Sequence, residues 1–208
     1  MSRGLNNPPS PNTLNQDYAV NVPDMVYATY EPLYDYQTKT QAATSEQRFF
    51  VDPVGTGGKT ISDTNMELSG QIPAGQRFAI TGIQVEVYPD APLADNASQA
   101  AFAQDVYNFY KSGALIFRIG SIDIIRQGNL MKFPPVNRLS GFAATSTTET
   151  TATETQIYAS AGGREYAVNK LQLVANQNFS VVLVNTSALS TTARIGITLN
   201  GWKYRNAQ

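Results

Sequence analysis

The sequence predicts a mainly β protein: a single jelly-roll β-sandwich with one short inserted helix and an extended N-terminal arm. Three observations carry this. Roughly eight runs of alternating apolar and polar residues, separated by turn signals, fill the chain from Gln47 onward, the number a jelly-roll sandwich uses. One segment alone repeats at helical spacing. The first 45 residues are broken by Pro8, Pro9, Pro11, Pro23 and Pro32, which interrupt helices and central strands. The expected division is therefore an arm over residues 1–45 and a sandwich domain over 46–208.

The elements follow in order. Tyr18, Tyr27, Tyr30, Tyr34 and Tyr36 give the arm more large amphipathic rings than a solvated tail needs, so it is expected to lie on a surface. That surface is either its own domain or a neighbouring copy, and the residues weigh the two equally. Gln47–Asp52 reads as a strand stopped by Pro53, Gly55, Gly57 and Gly58, and Thr64–Leu68 as a short one. Gln76–Tyr88 places Phe78 and Ile80, then Ile83, Val85 and Val87, on alternating positions. The alternation slips at Gly82, which predicts a bulge or bend. Between Asn96 and Lys111, Phe102, Val106 and Phe109 recur three to four residues apart, and Gly113 follows as a stop: this is the predicted helix. Ala114–Gly120 and Ser121–Ile125 form either a hairpin or one kinked strand. The polar run 144–155, rich in threonine, is read as an exposed loop in preference to an edge strand. Strands near Leu171–Val174, over Phe179–Val184 and over Arg194–Tyr204 complete the count.

Composition excludes much chemistry. The chain has neither cysteine nor histidine, which removes thiol nucleophiles, disulfides, Cys/His metal sites and imidazole catalysis. Fifteen basic and sixteen acidic residues leave a formal charge of -1, so no long-range field draws in nucleic acid, and no direct nucleic-acid partner is expected. Only 15% of residues are charged, which suits a surface meant to meet other subunits. No membrane span is legible, and no secretory leader is read at the N-terminus, so synthesis in a host cytoplasm is expected.

Tested for chemistry, the motifs give little. Pro53–Thr60 ends in the letters of a phosphate-binding loop, yet Pro53 stands where glycine is required and no helix is predicted to follow, so a glycine-rich turn is the reading. Asp52, Asp63, Glu67, Glu86, Asp90, Asp123 and Glu165 could in principle supply a glycosidase pair, but no spacing selects two of them. No calcium-loop pattern occurs. The expectation is thus a non-enzyme with no catalytic residue, cofactor or metal. Trp202, the sole tryptophan, is weighed as a possible ligand-stacking residue against the commoner role of packing in a terminal strand.

From Phe49 to the C-terminus the chain resembles jelly-roll virion proteins of tailed bacteriophages, of the cement, decoration or accessory capsid kind. The resemblance is carried by Phe50–Gly55, Asp63–Met66, Gly70–Phe78, Ile116–Gly120 and Ile197–Arg205 with Gln208. It implies a capsid-stabilising structural protein in the virion, associating with copies of itself as a dimer or trimer and with other capsid proteins. The arm tyrosines would serve as interface anchors. Two alternatives stay open: a shell-forming single jelly-roll capsid protein, and a carbohydrate- or receptor-binding sandwich module of a virion. Arg3 and Lys39 are the only basic residues before Arg48, which counts against a genome-neutralising shell arm.

Overall fold

The computed structural model describes residues 25–44, 46–91, 96–134, 140–147, 153–160, 165–185 and 187–206. Its strands are β1 (Met25–Tyr30), β2 (Leu33–Lys39), β3 (Gln47–Phe49), β4 (Gln76–Pro89), β5 (Ala114–Ile119), β6 (Ile122–Gly128), β7 (Ser140–Thr147), β8 (Thr153–Ser160), β9 (Tyr166–Val174), β10 (Phe179–Val184) and β11 (Ala193–Asn206). Among the described residues one helix, α1 (Asn96–Ser112), lies between β4 and β5, and one 3₁₀ turn spans Leu130–Lys132.

The fold is mainly β, with two antiparallel sheets packed face to face. The first runs β1-β11-β4-β9, with β2 also on β11; the second runs β3-β10-β5-β6. Because β11 is 14 residues long, its one edge holds two strands in succession: β2 beside Ala193–Leu199 and β1 beside Trp202–Asn206. Four antiparallel pairs are nested in sequence: β2 with β11, β3 with β10, β4 with β9, and β5 with β6.

Alternation explains the core. Phe78, Ile80, Ile83 and Val85 on β4 meet Ile195, Ile197 and Leu199 on β11, while Leu115 and Phe117 on β5 and Val181 and Leu183 on β10 close from the other sheet. The slip foreseen at Gly82 is present. Ile80 pairs with Gly201 and Gly82 with Asn200, so Thr81 is the extra residue, and it keeps both halves of β4 aimed at one core. On α1, Phe102 and Phe109 lie two turns apart and are fully buried. Gly113 ends the helix with its N–H on the Phe109 carbonyl, where a Cβ would strike the Leu130 side chain at 2.4 Å.

Several expectations change. Residues 25–39, assigned to the arm, lie in β1 and β2 and are hydrogen-bonded to β11; the rest of that segment up to residue 24 is outside the described residues. Ala114–Ile125 is a hairpin, turned at Gly120 with φ +59°. The run 144–155 is not simply a loop: Ser140–Thr147 pairs with Thr153–Ser160, the β-branched threonines suiting a pleated strand, and the residues between lie outside the described set. Thr64–Leu68 forms no strand, only single bridges of Thr64 to Asp35 and Leu68 to Gln71.

Candidate interaction surface

The register of β2, β11 and β4 sets Tyr36, Gly196 and Glu86 in one row on the outer face of the first sheet. Gly196 has no side chain because the Tyr36 ring occupies its place; a Cβ there would lie 2.1 Å from a ring carbon. The Tyr36 hydroxyl donates to Glu86 Oε2 at 2.9 Å. Its ring meets Tyr88 edge-on at 6.2 Å and Tyr34 at 6.0 Å, and the Arg194 guanidinium sits 5.1 Å from its centre. Arg194 Nη2 also donates to the Ser62 carbonyl at 2.8 Å and pairs with Asp63. The Asp63 carboxyl is held below the usual carboxylate range, chiefly by the Thr60 N–H, against the opposing effect of burial and with Arg194 helping. Tyr34 donates its hydroxyl to the Ile61 carbonyl. Two of the expected arm anchors, Tyr34 and Tyr36, thus have their hydroxyls bonded within their own chain, Tyr34 to the 60–63 turn and Tyr36 to Glu86 of the same sheet.

A second cluster lies further along β11. Tyr30 packs edge-on against Trp202 with centroids 5.4 Å apart. The indole is only 8% exposed, whereas the tyrosine is 43% exposed. Partial burial pushes the Tyr30 hydroxyl up in pKa, and the Glu165 charge adds to it. Glu165 itself accepts from the Asn200 side chain and lies across Gly82, filling the space a Cβ would need. Little of Trp202 is left for a ligand to stack on. Of the remaining tyrosines singled out in the sequence, Tyr18 lies outside the described residues, and only the backbone of Tyr27 is described, paired with Arg205.

Beside this cluster, Lys203 Nζ stands 3.5 Å from Glu31 and 3.6 Å from Glu67, and Arg205 reaches Glu31 at 3.8 Å. Lys203 and Glu67 line a hollow together with Leu33, Met66, Ile72 and Phe78.

The glycine-rich turn has a structural task that its motif letters hide. Lys59 is salt-bridged to Asp35, a carboxylate with no exposed surface. Burial raises the Asp35 pKa despite hydrogen bonds from Lys59, Phe50 and Thr64. Residues 53–63 form turns, with Gly55, Gly57 and Gly58 all at positive φ. Lys39, at the end of β2, is also buried; burial lowers its pKa, and its Nζ donates to the Asn185 carbonyl at 3.4 Å. Neither Asp35 nor Lys39 could be singled out from sequence, since both occur among the tyrosines and polar residues read as an arm.

Of the carboxylates weighed earlier, Asp63 pairs with Arg194, Asp123 with Arg118, Glu67 with Lys203, Glu86 with Tyr36 and Glu165 with Asn200. Among the described residues no group of three or more Asp or Glu is placed to hold a metal ion, and no helix is long and apolar enough to cross a membrane.

Among the described residues apolar side chains reach solvent at Ile61, Tyr107 and Met131 and in two further groups. Val51, Val54 and Leu68 lie on neighbouring stretches of loop, tied together where the Val54 N–H donates to the Met66 carbonyl at 3.0 Å and Ser69 Oγ to the Val51 carbonyl. On β6, Ile122 is 65% exposed and Ile124 46%. From sequence, Ile122–Ile125 read as an ordinary apolar strand; only its place at the edge of a sheet reveals that it is open. Comparison with protein-family models, with curated proteins and with solved structures finds no match to this chain.

Proposed function

We propose that this chain is a non-enzymatic virion structural protein, made in a host cytoplasm, that stabilises a phage capsid as a cement, decoration or accessory subunit through self-association. The observation that carries the reading is the nesting of strand pairs, β2 with β11, β3 with β10, β4 with β9 and β5 with β6. A long antiparallel hairpin rolled once on itself places strands in the orders β2-β11-β4-β9 and β3-β10-β5-β6, and this agreement, with β1 added beside β11, supports reading the sandwich as the jelly roll of viral capsid and lectin domains. A fold of this kind hosts several functions, so the surface must choose among them.

The surface favours assembly. Tyr36, Tyr88, Glu86 and Arg194 of the first sheet are engaged with one another, and the sole tryptophan is packed under Tyr30, which leaves little of the indole for a sugar to stack on. What the molecule presents instead is apolar surface in loops and on a strand edge, on a chain with 15% charged residues. Many copies acting together make modest contacts sufficient. Any arm that reaches a neighbour must come from residues before Met25, since β1 and β2 are bound to β11.

The test is the solution mass of the purified full chain by light scattering across a wide concentration range, together with mass spectrometry of particles purified from a culture that produces it. The expected results are a dimer, trimer or larger species, and recovery of the chain with the particles. A monomer at every concentration, or particles without the chain, overturns the reading.

A further inference from the structure

The second sheet ends at β6, and among the described residues no strand pairs with the outer edge of β6. Such an edge offers a row of N–H and C=O groups to another strand. Protected edges carry lysine, proline or covering loops; this one carries Ile122 and Ile124 in the open, with Asp123 and Arg126 between and beside them.

The face each residue takes is fixed by its partner on β5. Ile125 pairs with Phe117 and Gln127 with Leu115 on the face that carries the core, and Ile122 pairs with Ile119 on the same face but beyond the core, where it is open to solvent. Asp123 pairs with Arg118 and Arg126 with Ile116, on the outer side. The register shift between Phe117 and Arg118 makes Ile124 the extra residue, so Asp123 and Arg126 share a face although they are three residues apart.

We infer that β6 is the self-association edge of this protein, pairing antiparallel with β6 of a second copy about a two-fold axis, Asp123 of each copy opposite Arg126 of the other. This rests on the assembly reading above and names the surface that performs it. The bulge selects the register. Pairing Asp123 with Arg126 also sets Ile122 opposite Gln127, core side to core side, and Ile124 opposite Ile125. A slip of one residue either way sets Ile122 against Arg126 or Asp123 against Gln127, a core-side residue facing an outer one, which a pleated sheet does not accept. The permitted register is the one in which opposite charges meet twice by symmetry. The groups are available: Arg118 Nε occupies Oδ1 of Asp123 at 2.6 Å, leaving Oδ2, and Arg126 has no ion pair among the described residues. Joined this way, the four strands of each second sheet continue into one sheet across two copies.

The chain has no cysteine, so single introduced thiols report the register without background. Mixed Asp123→Cys and Arg126→Cys chains are expected to form a disulfide-linked heterodimer under mild oxidation, whereas Asp123→Cys mixed with Tyr107→Cys is not. In sedimentation of the full chain, Arg126→Glu should weaken dimerisation roughly tenfold, because symmetry alters two cross-strand pairs at once, and Asp123→Arg/Arg126→Glu together should restore it. A chain that self-associates but shows neither the specific crosslink nor the charge rescue overturns the β6 inference and leaves the assembly reading intact. A chain that stays monomeric by light scattering and forms no crosslink overturns both.

Discussion

Oδ2 of Asp35 accepts a hydrogen bond of 2.6 Å from the backbone N–H of Phe50, a residue held at φ +66°. A phenylalanine in the left-handed region is costly and persists only where its surroundings fix it. Here the fully buried ring of Phe50 and the carboxylate of Asp35 fix it together, while Lys59 balances the charge. The positive φ ends β3 and starts the loop that carries Val51 and Val54.

Asp35→Ala should therefore destabilise the protein by about 3–5 kcal/mol in urea denaturation, since it orphans the Phe50 N–H and strips Lys59 of its partner. Asp35→Asn should cost clearly less: an amide oxygen still accepts from Phe50. Burial raises the folded pKa of the Asp35 carboxyl, so the pH-dependent part of its contribution is full below the unfolded value and is lost as pH rises through the folded one. The bonds to Phe50 and Lys59 are what the alanine variant removes. Equal losses for the two variants would show that Asp35 acts through charge alone.

Two glycines on the first sheet should respond differently to alanine. At Gly201 a Cβ would stand 2.1 Å from the Ala79 carbonyl oxygen, a backbone atom that cannot swing aside. At Gly82 it would meet the Glu165 side chain at a similar distance, and that chain can rotate away at the loss of its bond to Asn200. Gly201→Ala is expected to cost about 3 kcal/mol or more and Gly82→Ala about 1 kcal/mol, read from denaturation midpoints.

Acid should weaken the tie between the 60–63 turn and β11. The Asp63 pKa is lowered in the folded state, so its contribution is present above the unfolded value of about 3.9 and is lost as pH falls through the folded value. The stability gap between the natural chain and Asp63→Asn should be constant near neutrality and close below about pH 4. A gap that persists in strong acid would assign the effect to packing.

Trp202 fluorescence offers a check on the stacking alternative. With the indole 8% exposed beneath Tyr30, its emission should be shifted to the blue and resist iodide quenching, and Tyr30→Ala should increase quenching severalfold. Ready quenching in the natural chain would reopen Trp202 as a binding residue.

Truncation separates arm from sheet. A chain beginning at Met25 should melt as cooperatively as the full one. A chain beginning at Gln41 lacks β1 and β2, and with them the buried Leu33 and Asp35, and should lose its cooperative transition by circular dichroism.

By itself the sequence determined the class of fold, the helix, the slip at Gly82 and the glycine-rich turn, because alternation, helical spacing and punctuation are local properties of the chain. The threonine run and the tyrosine-rich segment misled for the same reason: whether Ser140–Thr147 or Met25–Lys39 becomes a strand depends on a partner distant in sequence, Thr153–Ser160 for one and β11 for the other. Only the tertiary structure decided that Asp35 is buried against Phe50 and Lys59, that Tyr36 fills the space above Gly196, and that Ile122 and Ile124 stand on an open edge. Each depends on which residue lies across the sheet or in the adjoining loop, a long-range pairing that no local pattern records.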